Sequence, residues 1–284
     1  MKHAFLLFVL FTLPLSAQNS LKFDKRNVEC ENKWVAFPMA KDSTYSFGFI
    51  YIDYQAGLTL EFEGSFKIAA NGTFTKSNNP KEQKVGFNKV RLKPNRTAIA
   101  EIPETKFKEL GIIKEPEWLY IYKGDENSVS QMYRWGFFYN SWNEVAKGLT
   151  YLEKANKIDP DFKGLQTELA FSYNALGNFD KAEKALIKAI KKDPKDCYTY
   201  KELAFTQTKL AQLDNVAATF QKMTTICDGD TTYLQETAYN LAYEYFKVKN
   251  KAKFDNWKAV TKKLAKSENQ YTNNLDLMEA DWNK

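Results

Sequence analysis

Histidine is almost missing from this sequence. Among 284 residues there is one histidine, His3, so the chain would have none once a short N-terminal segment is removed. That absence excludes Ser–His–Asp and Cys–His nucleophile systems, the HExxH metalloprotease pattern and nearly all catalytic zinc sites. Chemistry by carboxylate pairs or lysine remains open, but no motif points to it. We therefore predict a protein that is not an enzyme and that has no metal site and no cofactor.

Long apolar runs are missing too. The longest, residues 4–15, is about twelve residues, whereas a membrane helix needs about 20. It follows a short basic start and precedes small residues at Ser16 and Ala17, so we interpret residues 1–18 as a secretory signal peptide. Gln18 stands where a lipoprotein would carry its lipidated cysteine. We expect a periplasmic or secreted protein with no membrane span and no lipid.

Neither sign of charge dominates the chain. It has 41 Lys and Arg against 35 Asp and Glu, a formal net charge of +6. Nucleic-acid binding would require basic residues gathered on one face. The densest basic cluster, six lysines within residues 181–195, lies beside Asp180 and Glu183 on the outward face of an amphipathic helix, which is typical of a solvated surface. We expect no nucleic-acid partner.

Residues 163–196 form a helix–turn–helix pattern. The first helix carries apolar residues on one face, Gly177 and Asn178 break it, and Pro194 stops the second. The apolar positions are Leu169, Ala170, Tyr173, Ala182, Leu186 and Ala189. This arrangement of small and large residues resembles the tetratricopeptide repeat, a helix–turn–helix of 34 residues.

The pattern recurs along the chain at the same period. One repeat earlier, Trp135, Gly136 and Tyr139 occupy the equivalent sites; one repeat later, Leu203 and Ala204 do. A fourth unit fits after a slip of about four residues. Since one helix pair cannot bury its apolar face alone, several pairs must stack. We predict repeats at residues 129–162, 163–196, 197–230 and 235–268, with residues 269–284 as a capping helix.

Residues 19–124 have a different pattern, resembling no family that we recognise. Short alternating segments rich in aromatic and β-branched residues predict about seven strands. Asn71 and Gly72 indicate a hairpin turn, and residues 104–110 a short helix. The predicted strands include residues 45–54, 58–63, 65–68, 73–75, 85–92, 97–102 and 118–122. The fold class is therefore multidomain α and β: an N-terminal antiparallel β-sandwich or barrel, then a four-repeat α-solenoid.

Three cysteines allow one disulfide in an oxidising compartment. In the predicted repeats, Cys197 opens the first helix of the third unit and Cys227 closes its second. These helices run antiparallel, so both ends lie on the same side of the repeat. We predict a possible bridge between Cys197 and Cys227, with two unpaired thiols as the alternative.

The resemblance to the repeat family implies that the first helix of each unit lines a concave groove for partners. The residues at groove positions include aromatic rings, amides and one lysine, which suit contact with a protein segment. They depart from the lysine and asparagine pattern that clamps a carboxylate in chaperone-binding members. The candidate groove residues are Tyr133, Phe137, Asn140, Phe171, Asn174, Lys201, Phe205, Tyr239 and Tyr243.

These observations predict an exported, non-catalytic scaffold that binds a protein or peptide segment in this groove. Alternatively, the β-rich domain or the capping helix could fill the groove. A second alternative is a carbohydrate or cell-envelope binding module in the β-rich domain, whose aromatic residues could stack on sugars. The candidate rings for that role are Trp34, Tyr45, Tyr51, Tyr54 and Tyr120.

Overall fold

The computed structural model describes residues 21–77, 89–227, 229 and 231–282. The predicted signal peptide, residues 1–18, lies outside this part of the chain. The chain divides after Lys123 into two compact units. The first unit is built around a β-sheet, and the second consists of helices, so the predicted fold class is confirmed.

The described strands of the first unit form one antiparallel sheet. The strands are β1 (Lys33–Ala36), β2 (Tyr45–Asp53), β3 (Gly57–Ile68), β4 (Phe74–Lys76), β5 (Lys89–Arg91) and β6 (Ala100–Glu101). Their order in the sheet is β4-β3-β2-β1-β6, and β5 pairs with the same edge of β3 as β4 does. The sheet curves into a half-barrel, so of the two predicted alternatives, sandwich and barrel, the fold is nearer to the barrel.

Both faces of β2 are buried, and alternation of side chains divides its residues between them. Phe47, Phe49 and Tyr51 point to one face, where each is fully buried. Trp34 from β1 joins them, and its Nε1 donates a hydrogen bond to the carbonyl oxygen of Ile113 at 2.7 Å. Aromatic side chains therefore provide much of the core of this unit.

The hairpin prediction at Asn71 and Gly72 is confirmed. Gly72 has a φ of +80°, and its N–H donates to the carbonyl oxygen of Ala69 at 2.8 Å. Residues 58–63 and 65–68, predicted as separate segments, belong to the single strand β3. Of the segment predicted at 85–92, only Lys89–Arg91 is a strand within the described residues.

The predicted strand at residues 118–122 is wrong. This segment forms a 3₁₀ turn, Glu117–Leu119, followed by helix α2 (Tyr120–Lys123). Pro116 is the N-cap residue of this turn, and its ring fixes φ at −59°. The rings of Trp118 and Tyr122 are one helical turn apart, and both pack on Tyr51. Helical spacing, rather than alternation, therefore places these residues against the core.

The predicted helix at residues 104–110 consists of a 3₁₀ turn, Glu104–Lys106, followed by helix α1 (Phe107–Leu110).

Four of the five rings proposed for sugar stacking are buried or half-buried. Trp34 and Tyr51 are buried, and Tyr45 and Tyr54 are half-buried. Tyr120 alone among the five candidates is largely exposed, at 77%. The described part of this unit therefore lacks the row of exposed rings that the sugar-binding interpretation requires.

The second unit is a series of four helical hairpins, each made of a first and a second helix. The pairs are α3 (Val129–Ser141) with α4 (Val145–Ile158), α5 (Leu165–Ala175) with α6 (Phe179–Lys192), α7 (Cys197–Lys209) with α8 (Leu213–Ile226), and α9 (Thr232–Lys247) with α10 (Lys251–Leu264). Each first helix contacts the first helix of the next pair. The final helix, α11 (Gln270–Ala280), packs on α9 and α10, so it occupies the place of a next first helix.

The turn inside each hairpin shows the repeat register. One residue there has a left-handed backbone with φ between +54° and +76°: Asn143, Gly177, Ala211 and Lys249. The first three are 34 residues apart, and the fourth follows 38 residues later, which is the predicted slip of four. The same backbone turn therefore recurs although the residue type changes.

Candidate functional site

The candidate site is the face presented by the first helices, which we call the first-helix face. It is defined by the nine predicted groove residues on α3, α5, α7 and α9. Small side chains behind this face, Ala170, Ala204 and Ala242, are fully buried. They allow each first helix to approach its partner helix closely, which holds the groove positions at a regular spacing.

Four rings of this face, one on each first helix, are open to solvent or half-buried. Phe137 is 47% exposed and Tyr243 is 41% exposed, while Phe171 and Phe205 are half-buried. A cavity of about 250 Å³ lies against Phe171 and Phe205, with Ala175 at its edge. These four rings form the part of the predicted groove that a ligand can reach.

Two other predicted rings are engaged within the helical unit. Tyr133 packs on Phe162 with ring centroids 5.2 Å apart. Tyr239 packs on Tyr271 of α11 at 4.9 Å, and its hydroxyl lies 3.3 Å from the amide nitrogen of Asn274. The capping helix therefore covers the end of the face at Tyr239, not the middle of the face.

The two predicted asparagines have a role that sequence reasoning missed. Asn140 is 7% exposed; its Nδ2 donates to Glu168 at 3.2 Å and its Oδ1 accepts from Ser172 at 3.0 Å. One repeat later, Asn174 makes the equivalent bonds, at 3.4 and 2.9 Å. The side-chain amides of both asparagines are therefore already bonded within the repeat array. Both join one first helix to the next, because their polar atoms are buried and must be satisfied.

Lys201 lies between two carboxylates. Its Nζ is 2.9 Å from Glu202 and 3.7 Å from Glu236. Burial lowers the pKa of Lys201, but the hydrogen bond to Glu202 and the nearby negative charges outweigh burial and raise it. This lysine therefore stays charged and balances acidic side chains of its own chain.

A row of carboxylates was also missed. Glu168, Glu202 and Glu236 are 34 residues apart, one on each of α5, α7 and α9. Glu202 and Glu236 line the same cavity as Phe171 and Phe205. Burial, and then the charge of Glu202, raise the pKa of Glu168. The 34-residue spacing of Glu168 and Glu202 was a signal that the sequence contained. Glu236 does not occupy the equivalent position in the offset fourth repeat, so the period alone would not have revealed it.

Cys197 and Cys227 form a disulfide, with their Cα atoms 5.2 Å apart. The bridge joins the first residue of α7 to the residue that follows α8. Cys30, in the first unit, is a buried free thiol. Within the described residues, no three His, Cys, Asp or Glu side chains are placed to hold a metal ion. No helix in that part is long and apolar enough to cross a membrane.

Comparison with known proteins supports the repeat assignment. Residues 143–204 match the tetratricopeptide repeat family. Together with the recurring turns and helix pairs, this match shows that the helical unit is a tetratricopeptide-repeat array. The fold is that of a protein-interaction scaffold. No curated protein matches the chain.

Several solved structures are similar to the chain at low identity. A structure of MamA is 19% identical, covering 57% of this chain and 84% of that chain, with a TM-score of 0.43. YrrB, described as a TPR protein with an unusual peptide-binding site, is 17% identical, with coverage of 55% and 76% and a TM-score of 0.47. MamA from Desulfovibrio magneticus RS-1 is 15% identical, with coverage of 64% and 88% and a TM-score of 0.41. The repeat assignment depends on the family match and the residue spacing.

Proposed function

We propose that this protein is a non-catalytic scaffold that holds a segment of another protein on its first-helix face. The observation that supports this most is the row of accessible rings, Phe137, Phe171, Phe205 and Tyr243. Two of them, Phe171 and Phe205, line a cavity of about 250 Å³. Aromatic side chains give a large contact area at low entropic cost and are enriched at protein interfaces. A row with one ring per repeat suits a segment that runs across several first helices.

The double substitution Phe171→Ala and Phe205→Ala tests this function. Both rings are half-buried, so each truncation should lower the free energy of unfolding by only about 1 kcal/mol, whereas a fully buried phenylalanine costs about 3–5 kcal/mol. Affinity for a partner captured from cell-envelope extract by the whole chain should fall at least about tenfold, because both rings would be central to the interface.

A matched control is Lys184→Ala with Lys188→Ala, which truncates two exposed side chains of α6. This variant should capture the same partner as the unsubstituted chain. Retention of the partner by the phenylalanine variant, or a stability loss of several kcal/mol in it, would show that the rings serve internal packing instead.

Export is part of the same proposal. It is supported by the signal-like residues 1–18 and by the disulfide, since disulfides persist in oxidising compartments. The intact mass of protein isolated from its native cell should correspond to a chain that lacks about the first 18 residues. A mass that includes Met1 would contradict export by this signal.

A further inference from the structure

The carboxylates of the first-helix face are ordered relative to its rings. Glu168 and Glu202 each come three residues before a ring of the same helix, Phe171 and Phe205. Glu236 comes three residues before Tyr239 and seven before Tyr243. Since residues three and four apart are neighbours on a helix surface, a row of acids runs beside the row of rings. Arg134 occupies the position equivalent to Glu168 and Glu202 in the first repeat, and Asn240 occupies it in the fourth, which is offset by four residues. Glu236 lies about one helical turn earlier on α9, beside the same cavity as Glu202.

Negative charge exceeds positive charge along this row. Glu202 and Glu236 share Lys201, and Glu168 has no ion-pair partner among the described residues. The chain as a whole is basic, with a formal charge of +6. An acidic row on a basic protein is therefore a local feature and does not follow from composition.

Lys201 lies on the acidic side of the rings, four residues before Phe205, and lines the same cavity. Two further lysines lie on the other side of the rings. Lys209 has its Nζ 5.2 Å from the ring centre of Phe205. Lys247 lies 5.5 Å from the ring centre of Tyr243 and forms an ion pair with Glu244. These cations come four residues after their rings, whereas the carboxylates precede the rings. One edge of the face thus carries three carboxylates and Lys201, the rings lie in the middle, and lysines lie toward the ends of α7 and α9.

Two of the three carboxylates, Glu168 and Glu202, are held in place by the repeat itself. The amides of Asn140 and Asn174 donate to Glu168 and Glu202, and each asparagine also accepts from a hydroxyl of the next helix. This arrangement fixes the acids before any ligand arrives, which lowers the entropic cost of binding. The pKa of Glu168 is raised by burial and by Glu202, and a cation beside it would stabilise its charged form.

We propose that the segment bound on the first-helix face is basic: a chain whose lysine or arginine side chains pair with Glu168 and Glu236 while its apolar side chains contact Phe171 and Phe205. This inference rests on the proposed function and specifies its partner class. Packed helices lie about 8–10 Å apart, and an extended chain rises about 3.3 Å per residue. Cations about three residues apart in the partner therefore match the spacing of the acidic row.

Three pools of labelled nine-residue peptides test this inference on the whole chain by fluorescence anisotropy. Positions 2, 5 and 8 are Lys in one pool, Gln in the second and Glu in the third; the other positions are mixtures of Leu, Val, Tyr and Ser. We expect the Lys pool to bind at least about tenfold more tightly than the Gln pool, and the Glu pool to bind most weakly. Added salt should weaken the preference for Lys.

The variant Glu168→Gln with Glu236→Gln should reduce the preference for Lys over Gln, the ratio of the two affinities, to less than about threefold. The matched control, Asp180→Asn with Glu183→Gln, removes the same charge from α6 and should keep the full preference. Circular dichroism of each variant checks that the helices remain folded.

Two results would overturn this inference without contradicting the scaffold function. The first is equal binding of the Lys and Gln pools, with both lost in the Phe171→Ala and Phe205→Ala variant; the scaffold function would then stand. The second is a preference for Lys that survives in the Glu168→Gln and Glu236→Gln variant. Binding of no pool, or binding that none of the variants changes, would count against the scaffold function as well.

Discussion

Removal of the disulfide between Cys197 and Cys227 is expected to lower the free energy of unfolding of the third repeat by about 3–4 kcal/mol. The bridge closes a loop with a sequence separation of 30 residues, and a cross-link of that span restricts the unfolded chain by about this amount. The variant Cys197→Ala with Cys227→Ala, unfolded in urea and followed by circular dichroism, measures the effect.

Reduction of the unsubstituted chain provides the control. Cys30 is a free thiol both before and after reduction, so a reductant changes only the bridge. Reductant should shift the unfolding of the original chain toward that of the double variant and leave the double variant unchanged. Unfolding curves of the original chain that coincide with and without reductant would mean that the bridge contributes nothing.

Substitution of Gly148 by valine is expected to destabilise the first repeat by about 3 kcal/mol. A Cβ at this position would lie 2.9 Å from the carbonyl oxygen of Gly136 and 2.8 Å from Oδ1 of Asn140. The first of these atoms is backbone and cannot move by a change of rotamer, so α3 and α4 would have to separate. Thermal unfolding of the Gly148→Val variant measures the cost.

Ala146 provides a control for this prediction, and Val216 provides a comparison within the repeat array. Ala146→Val, two residues earlier in α4, adds a larger side chain at an exposed site and should change stability by less than about 0.5 kcal/mol. Val216 occupies the position equivalent to Gly148 in the third repeat and is fully buried there. The repeat pattern alone therefore allows valine at this position, whereas the local helix spacing does not. A Gly148→Val variant as stable as the Ala146→Val variant would contradict the close approach of α3 and α4.

The repeat architecture was predictable because its signal recurs. The spacing of Leu169, Ala170 and Leu186 indicates buried stripes, and those three residues are indeed buried. The slip of four residues before the fourth repeat was also predicted from the sequence. The left-handed turn residues Ala211 and Lys249 show the same offset in the structure. Because each repeat packs against its neighbours in a similar way, the same pattern of apolar residues recurs along the sequence.

Side-chain roles on the first-helix face were less predictable. Helical spacing places Asn140 and Phe137 toward the same groove, but it does not tell which of them a neighbouring helix buries. Asn140 is tied by hydrogen bonds to Glu168 and Ser172, which come from the next repeat, whereas Phe137 is 47% exposed. The distinction depends on contacts between repeats, which a single repeat's pattern does not contain.

The strand prediction at residues 118–122 failed for a related reason. Alternation of Trp118, Tyr120 and Tyr122 is compatible with a strand, while Trp118 and Tyr122 are also one helical turn apart. In so short a segment both periods fit, and Pro116 together with contacts to Tyr51 decides for the helix.

Site-specific photo-crosslinking tests the central claim, that the first-helix face is where a partner binds, most directly. A photoreactive benzoylphenylalanine would replace Phe171 or Phe205 on this face, and Lys188 on α6 as the control. After irradiation of the whole chain in its native envelope extract, we predict that the two face positions crosslink the same partner protein and that position 188 does not. Crosslinks to that partner from position 188, with none from positions 171 and 205, would contradict the account.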